Sequence, residues 1–369
     1  MPAKDLSSPC MECKDAEAVL TIRRRQFCGP CFQRFISYKV LRRMEKYKSP
    51  TNTDQRTQLL LPLSLGVSSS VLLHILDSVI QHQRSKPFGK VAFDLHVLVI
   101  EPSTVVPSDA SHDSNYELLQ KTFPSHKYTK LPLHSIFEYV PEMANIMAEY
   151  AGSGYTDDKS KSNEDRLAAF CAAISTATSK ADVDSVLLTR LIVTFAKHMG
   201  CSAVVWGDSD SRLAAKTLAG ASKGRGASLT WQVSDGMSPW GVNFDFPLRD
   251  MSKPELLQYE SVCEILSGIV IPEEALSENV LTKNMSIDEL MMRYVQNQGE
   301  KYPGVMANVS RTANKLQPAQ AEDSISCYLC GSLVGNVKGN TSGITTASQF
   351  GTKGSPFCYG CARSRPESS

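Results

Sequence analysis

Two apolar runs joined by a turn of small residues stand out along this chain. Leu59-Leu60-Leu61-Pro62-Leu63 is unbroken and predicts a buried strand. Val71-Leu72-Leu73 with Ile75-Leu76 follows at once and predicts a helix packed on that strand. The turn between them, Ser64 to Ser70, opens the helix. A strand, a small-residue turn and a helix N-terminus leave unpaired N–H groups pointing outward, which is the geometry of a phosphate cradle. The serine hydroxyls add donors. An ordinary Ser-rich strand-to-helix turn has the same pattern.

The alternation continues downstream. Phe93 to Ile100 and Tyr128 to Leu133 predict further strands, with a loop over Glu101 to Asn115 and a short helix over Tyr116 to Phe123. A helix with Pro141 near its first turn reaches about Tyr150, and Gly152 to Asn163 reads as a polar loop. Leu187, Leu188, Leu191, Ile192, Phe195 and Met199 mark an amphipathic helix that ends at Gly200. Ala203 to Trp206 is a short strand, Gly207 to Ser211 starts another helix, and Ser228 to Val233 reads as a strand. Helices are expected over Ser286 to Asn297 and Gly304 to Leu316. Strands alternating with helices imply an α/β fold, a parallel sheet covered on both faces. Ligands of such sheets bind beyond the strand C-termini, where both the 64–70 and 207–211 turns fall.

Length and composition divide the chain. Its 369 residues suit about two domains. The polar stretch from Lys48 to Thr57 and the stretch from Gln317 to Ser326 read as linkers, giving units of 1–48, 49–320 and 321–369. Hydrophobic content of 42% and charged content of 21% fit a globular protein. No apolar run approaches the roughly 20 residues that span a bilayer. The first residues lack the apolar core of a signal peptide, so a cytoplasmic location with reduced thiols is expected.

Eight of the 11 cysteines form four CxxC pairs: Cys10/Cys13, Cys28/Cys31, Cys327/Cys330 and Cys358/Cys361. Paired knuckles can place four thiolates tetrahedrally around Zn2+, so two structural zinc sites are expected. An iron–sulfur cluster takes the same ligand set. The second site encloses a Gly/Ser/Thr-rich insert, Gly331 to Pro356, that cannot support a core. Cys171, Cys201 and Cys263 are isolated and read as small core residues. The seven histidines are scattered, and His74 and His198 read as structural.

Net charge is only +1, so affinity for nucleic acid needs a local patch. One lies around the first knuckles: Arg23, Arg24 and Arg25, then Arg34, Lys39, Arg42, Arg43, Lys46 and Lys48, opposed by Glu45 alone. Phe32, Phe35, Ile36, Val40 and Leu41 give the same segment an apolar stripe at helical spacing. A basic helix beside a zinc knuckle suits a phosphate backbone, and also suits a solvated helix face. The Lys223-Gly224-Arg225-Gly226 loop is the second basic candidate, so Arg23, Arg24, Arg25, Arg42, Arg43, Lys223 and Arg225 are the expected RNA contacts.

The 64–70 turn lacks the Walker pattern GxxxxGK[ST]. It resembles the PP-loop, SGGxDS, of ATP-pyrophosphatases. Ser64, Gly66 and Ser69 match; Leu65 stands at a glycine and Ser68 at the aspartate. The resemblance makes Ser64, Gly66, Ser68 and Ser69 the nucleotide-binding candidates of a site whose architecture is kept and whose chemistry is eroded. A leucine there is expected to hinder the approach of phosphate to the backbone. The stretch GDSDSRLAAKTLA, 207–219, resembles a second block of PP-loop enzymes that modify tRNA, with Asp208 for its histidine and Lys216 for its glutamate. Phe246-Pro247-Leu248-Arg249-Asp250 resembles a third. Read without the resemblance, 208–211 is a helix-cap cluster and Arg249 a solvated turn residue.

Taken with the terminal CYLC and FCYGC pairs and Val309-Ser310-Arg311-Thr312, nearly the whole chain resembles the cytoplasmic tRNA 2-thiolation protein 2 family. The resemblance implies a Rossmann-like, degenerate PP-loop domain flanked by zinc-ribbon-like modules. It implies a role in making 2-thiouridine at the wobble position of the lysine, glutamate and glutamine tRNAs. The implied partners are tRNA, a catalytic PP-loop paralogue in a heteromer, and a thiocarboxylated ubiquitin-related sulfur carrier, with a further part in conjugating that carrier to proteins. No CxxC lies between Phe32 and Ser326, so a non-catalytic, tRNA-presenting subunit is expected. An active ATP-dependent sulfurtransferase and a zinc-ribbon module without RNA contact are the other readings.

Overall fold

The computed structural model describes residues 9–22, 24–47, 56–87, 91–101, 110–272, 285–317, 325–334 and 356–366. Arg23, Lys48, most of both linkers and most of the Gly/Ser/Thr-rich insert lie outside the described residues. The elements are β1 (Leu20–Ile22), β2 (Arg25–Phe27), α1 (Gly29–Arg43), β3 (Thr57–Pro62), α2 (Val67–Arg84), β4 (Phe93–Glu101), α3 (Ala110–Thr122) and β5 (Lys127–Pro132). Then come α4 (Ile136–Tyr139), α5 (Met143–Ala151), α6 (Asn163–Ala172), α7 (Ala177–His198), β6 (Ala203–Val205), α8 (Asp210–Ser222), α9 (Leu229–Gln232), β7 (Gly236–Met237) and β8 (Asn243–Asp245). The chain closes with α10 (Lys253–Ser261), α11 (Ile287–Lys301), α12 (Pro303–Ala313), β9 (Ile325–Ser326), β10 (Leu333–Val334) and α13 (Tyr359–Arg363).

The main sheet runs β5-β4-β3-β6-β8-β7, parallel except for β7. Its central strand explains its apolar run. Leu59 and Leu61 face one side, packed with Val71, Leu72, Ile75 and Leu76 of α2. Leu60 faces the other, with Ile192, Phe195 and Ala196 of α7. A strand covered on both faces has no polar side to alternate with. Neighbouring strands repeat the split: Val97 and Val205 join Leu59, while Leu98 and Val204 join Leu60.

The N-terminal module shares the α2-side core, and the C-terminal one joins a third cluster built on α5, α6 and α7. Phe27, Phe32, Ile36 and Val40 of the N-terminal hairpin and α1 pack into the α2 side. Cys327, Leu329, Phe357 and Cys361 pack with Tyr150, Phe170, Val183 and Leu187.

Several expectations needed correction. Ser228 to Val233 is not a strand: a 3-10 turn at Gly226–Ser228 leads into the single-turn α9. Leu229, Trp231 and Val233 alternate as a strand would, yet all three are buried against the α7 side of the sheet. The strand that follows β6 in the sheet is β8, whose three residues are too few to show a period. Helix α6 lies beyond the polar loop, with only Leu167 and Phe170 buried and Ser162 as its cap. Helix α7 begins ten residues before the apolar stripe, where the Thr176 hydroxyl accepts the Ser179 N–H. Gly200 follows its end with φ +67°, as the expected stop.

Where β6 leaves the sheet, Gly207 runs against the first turn of α2. A Cβ added there would lie 2.8 Å from Ser69 Cα and 3.1 Å from Ser69 N, and neither backbone atom can give way. Gly207→Ala is expected to lower stability by about 1–3 kcal/mol, the usual cost of overpacking. A lowered urea midpoint with an unchanged denaturant slope checks this; an unchanged midpoint contradicts it.

Candidate functional site

The turn between β3 and α2 carries the first candidate site. Leu65 sits at φ +58°, the left-handed region that a glycine adopts freely. Its side chain is 1% exposed and joins the α2 core, and its carbonyl accepts the Ile271 N–H at 2.9 Å. The leucine therefore does not stand over the turn, as the sequence led us to expect; it anchors the turn from below. Burial offsets the strain of the backbone.

Two of the turn's hydroxyls, Ser64 and Ser69, are used internally. Ser64 Oγ lies 3.2 Å from Ser69 Oγ and accepts the Gly66 N–H at 3.4 Å. Ser69 Oγ donates to the Gly66 carbonyl at 3.1 Å. Gly66 caps α2 without a side-chain hydrogen bond. Ser68 is half-buried in the first turn and offers no carboxylate for a metal–nucleotide complex. So Ser64, Gly66, Ser68 and Ser69 are brought together, in a turn closed by its own hydrogen bonds.

The neighbouring blocks are equally self-contained. Ser209 caps α8, accepting the Arg212 N–H. Lys216, which replaces the glutamate, holds Asp208 at 2.5 Å. Arg249 is not solvated: it is 3% exposed and donates to Asp235 and the Val233 carbonyl, each at 2.9 Å.

No isolated thiol is poised as a nucleophile. Burial pushes Cys171 up to about 12, with the Asp184 charge adding to it. Burial pushes Cys201 up to about 11 and also raises Cys263. Thiolate chemistry needs the opposite shift.

Each cysteine quartet joins a knuckle at a short β-hairpin to a knuckle at a helix N-terminus. Cys10 and Cys13 precede the β1–β2 hairpin; Cys28 caps α1 and Cys31 lies in its first turn. Cys327 and Cys330 lie between β9 and β10; Cys358 caps α13 and Cys361 lies inside it. Thiolates at a helix N-terminus are favoured by its dipole. In each quartet the four sulfurs lie within 4.8 Å of one another. Cys13 and Cys28 sulfurs are 3.8 Å apart, and Cys330 and Cys358 sulfurs 3.4 Å. Four thiolates about 2.3 Å from one ion stand about 3.8 Å apart, so each quartet fits a single tetrahedral metal. A cluster places several irons between its thiolates and spreads them farther.

The basic candidates separate into surface and interior. Arg24, Arg34 and Arg42 are exposed. Tyr38, 67% exposed, lies between Arg34 and Arg42 at i+4 spacing on one face of α1. The sequence reading passed over it, although that spacing was visible. Arg25 pairs with Glu12 and covers Phe27 and Phe35. Arg43 ties α1 to Asp250 at 2.6 Å, and Lys46 reaches Asp245 at 2.5 Å.

Lys223 and Arg225 do not stand free at the surface: Lys223 is half-buried and Arg225 buried, and both are ion-paired. Arg225 is 3% exposed, donates to Asp182 at 2.7 and 2.9 Å, and directs two N–H groups at Cys361 Sγ at 3.5 Å. Lys223 bridges Asp182 at 2.9 Å and Asp288 at 2.7 Å. A buried guanidinium beside a tetrathiolate site offsets its negative charge. Arg190 adds a second tie, donating to the Tyr328 and Leu329 carbonyls at 2.7 and 3.3 Å. Asp182 and Arg190 carried no signal in sequence, since their partners lie far along the chain.

Comparison with known proteins places this architecture. The profile of the family described as "Cytoplasmic tRNA 2-thiolation protein 2" matches residues 286–356, which include α11, α12 and β9–β10. Two proteins of that name are similar over the full chain. The one from Aspergillus clavatus is 53% identical, covering 100% of this chain and 99% of the relative. The one from Neosartorya fischeri is 55% identical, again covering 100% and 99%. Among solved structures, the U34-tRNA thiolase NcsA from Methanococcus maripaludis, determined with its 4Fe–4S cluster, superposes with a TM-score of 0.58. That match covers 89% of this chain and 92% of the thiolase at 13% identity, which shows a shared PP-loop fold. With identity above one half along its whole length, the chain belongs to the cytoplasmic tRNA 2-thiolation protein 2 family.

Proposed function

We propose that this protein is the non-catalytic, tRNA-presenting subunit of a cytoplasmic complex that 2-thiolates the wobble uridine of the lysine, glutamate and glutamine tRNAs. The observation that carries this reading is the β3–α2 turn, which keeps its place in the sheet while its Ser64 and Ser69 hydroxyls bond each other and Ser68 supplies no carboxylate. ATP would meet no carboxylate there, and the Ser64 and Ser69 hydroxyls already bond each other. Adenylation and sulfur transfer then fall to a catalytic PP-loop paralogue bound to this chain, fed by a thiocarboxylated ubiquitin-related modifier. The family resemblance extends the role to conjugation of that modifier. The raised thiols at Cys171, Cys201 and Cys263 argue against an active sulfurtransferase.

In this reading Cys10, Cys13, Cys28 and Cys31 hold one structural Zn2+, and Cys327, Cys330, Cys358 and Cys361 a second. Each ion fastens a ribbon whose strands are too short to hold alone. Elemental analysis of the full chain is expected to find about two zinc atoms per molecule. Iron with visible charge-transfer absorption contradicts the assignment.

Arg24, Arg34 and Arg42 are then the cations that meet the tRNA backbone, with Tyr38 placed to stack on an unpaired base. Arg43, next to Arg42 at the end of α1, is exposed but tied to Asp250. Changing Arg24, Arg34 and Arg42 together to Glu is expected to flatten the dependence of log K on log salt by up to about three units. Reversing Arg225 instead is expected to disturb the C-terminal metal site rather than the salt slope. An unchanged slope in the triple variant, with the chain folded, removes this face of α1 from the tRNA site and favours a zinc-ribbon module without RNA contact.

A further inference from the structure

Beyond the C-terminal ends of β6 and β8 a cavity of about 60 Å³ opens beneath α7 and α8. Four aromatic residues contribute to its wall: Trp206 just after β6, Trp231 of α9, Phe244 of β8 and Phe246 beyond it. The sheet changes direction between β3 and β6, and Trp206 immediately precedes the Gly207 that abuts the β3–α2 turn. Ligands of open α/β sheets bind along this C-terminal edge, and the cavity lies beside the switch point, beyond β6 and β8.

The chemistry of the lining narrows the ligand. Its cations are already neutralised: Lys216 by Asp208, Lys223 by Asp288, and Arg225 by Asp182. A phosphate would meet no uncompensated charge. The indole N–H groups of Trp206 and Trp231 are buried and have no acceptor among the described residues. A buried donor without an acceptor is costly, and a bound ligand carrying acceptors would remove that cost. At about 10–15 Å³ for each water-sized sphere, the space holds roughly four to six of them, the bulk of one six-membered heteroaromatic ring.

We propose that this cavity takes a single uracil-type base: one neutral ring, with carbonyl oxygens for the two indole donors and aromatic neighbours for its faces. The inference rests on the reading of the chain as a tRNA-presenting subunit, because RNA loops supply unstacked bases. A free uridine nucleotide carries the same chemistry. The experiment separates the two sources.

Intrinsic tryptophan fluorescence of the full chain is titrated with four probes: UMP, CMP, and an anticodon stem-loop carrying either uridine or cytidine at the wobble position. The uridine stem-loop is expected to bind about tenfold tighter than the cytidine one, since cytosine lacks one carbonyl acceptor. Thr189 lines the cavity and bonds only the Ser185 carbonyl of its own helix. Thr189→Phe fills the space and is expected to abolish that preference while leaving cytidine stem-loop affinity unchanged. Trp206→Phe keeps a ring and removes one donor, and is expected to reduce the preference several-fold. A preference for UMP over CMP that Thr189→Phe abolishes assigns the cavity to free nucleotide, and still supports a uracil site. Equal affinity for uridine and cytidine probes, unaffected by both variants, overturns the proposal. Binding of both stem-loops without discrimination, together with equal affinity for UMP and CMP, overturns the cavity and leaves the tRNA reading standing. Failure of either stem-loop to bind overturns the tRNA reading, and the UMP titration then decides the cavity by itself.

Discussion

The two-sided burial of β3 is the constraint from which the rest of this structure follows. Leu59 and Leu61 commit one face to α2, and Leu60 commits the other to α7. With both faces occupied, the strand can end only at the open C-terminal edge, so the chain must turn there into α2. The same edge receives the ends of β6 and β8. Gly207 touches the first turn of α2 because β6 lies directly beside β3. A small residue at 207 and a tight turn at 64–66 are thus demands of packing, independent of any nucleotide.

That separation between fold and chemistry lets a PP-loop-like turn keep its place in the sheet with Leu65 and Ser68 in it. Leu65 holds the left-handed backbone through burial where a glycine would hold it through freedom. Ser64 and Ser69 satisfy each other. The N-terminal ribbon and α1 rest on the α2-side core of the sheet, and the C-terminal ribbon packs on α7, whose later turns cover the sheet's other face. A subunit that presents RNA to a partner needs such a frame more than it needs a reactive group.

Much of this was legible in the sequence because the signals were local. The 59–76 run, the CxxC spacings, the helix stripe ending at Gly200 and the basic α1 all lie within windows of a few turns. What was missed depends on distance. Arg225 read as a flexible loop cation, yet Asp182 and Cys361, 43 and 136 residues away, draw it inside. Arg249 read as a solvated turn residue, and Asp235 across the β7–β8 hairpin buries it. Leu229, Trp231 and Val233 imitated a strand because one helical turn can bury the same three side chains. Strand β8 was silent because its place in the sheet comes from β6, and three residues carry no period.

The central claim is that the protein serves tRNA thiolation through its fold and surfaces, and that its β3–α2 turn performs no chemistry. Cells lacking this chain, complemented with a Ser64→Ala, Ser69→Ala allele, test it by mass spectrometry of bulk tRNA nucleosides. The account predicts loss of wobble 2-thiouridine in the deletion and its return to near the wild-type level with that allele. Normal 2-thiouridine in the deletion contradicts a role in thiolation. Failure of an allele that is folded and present at the wild-type level contradicts a turn without chemistry.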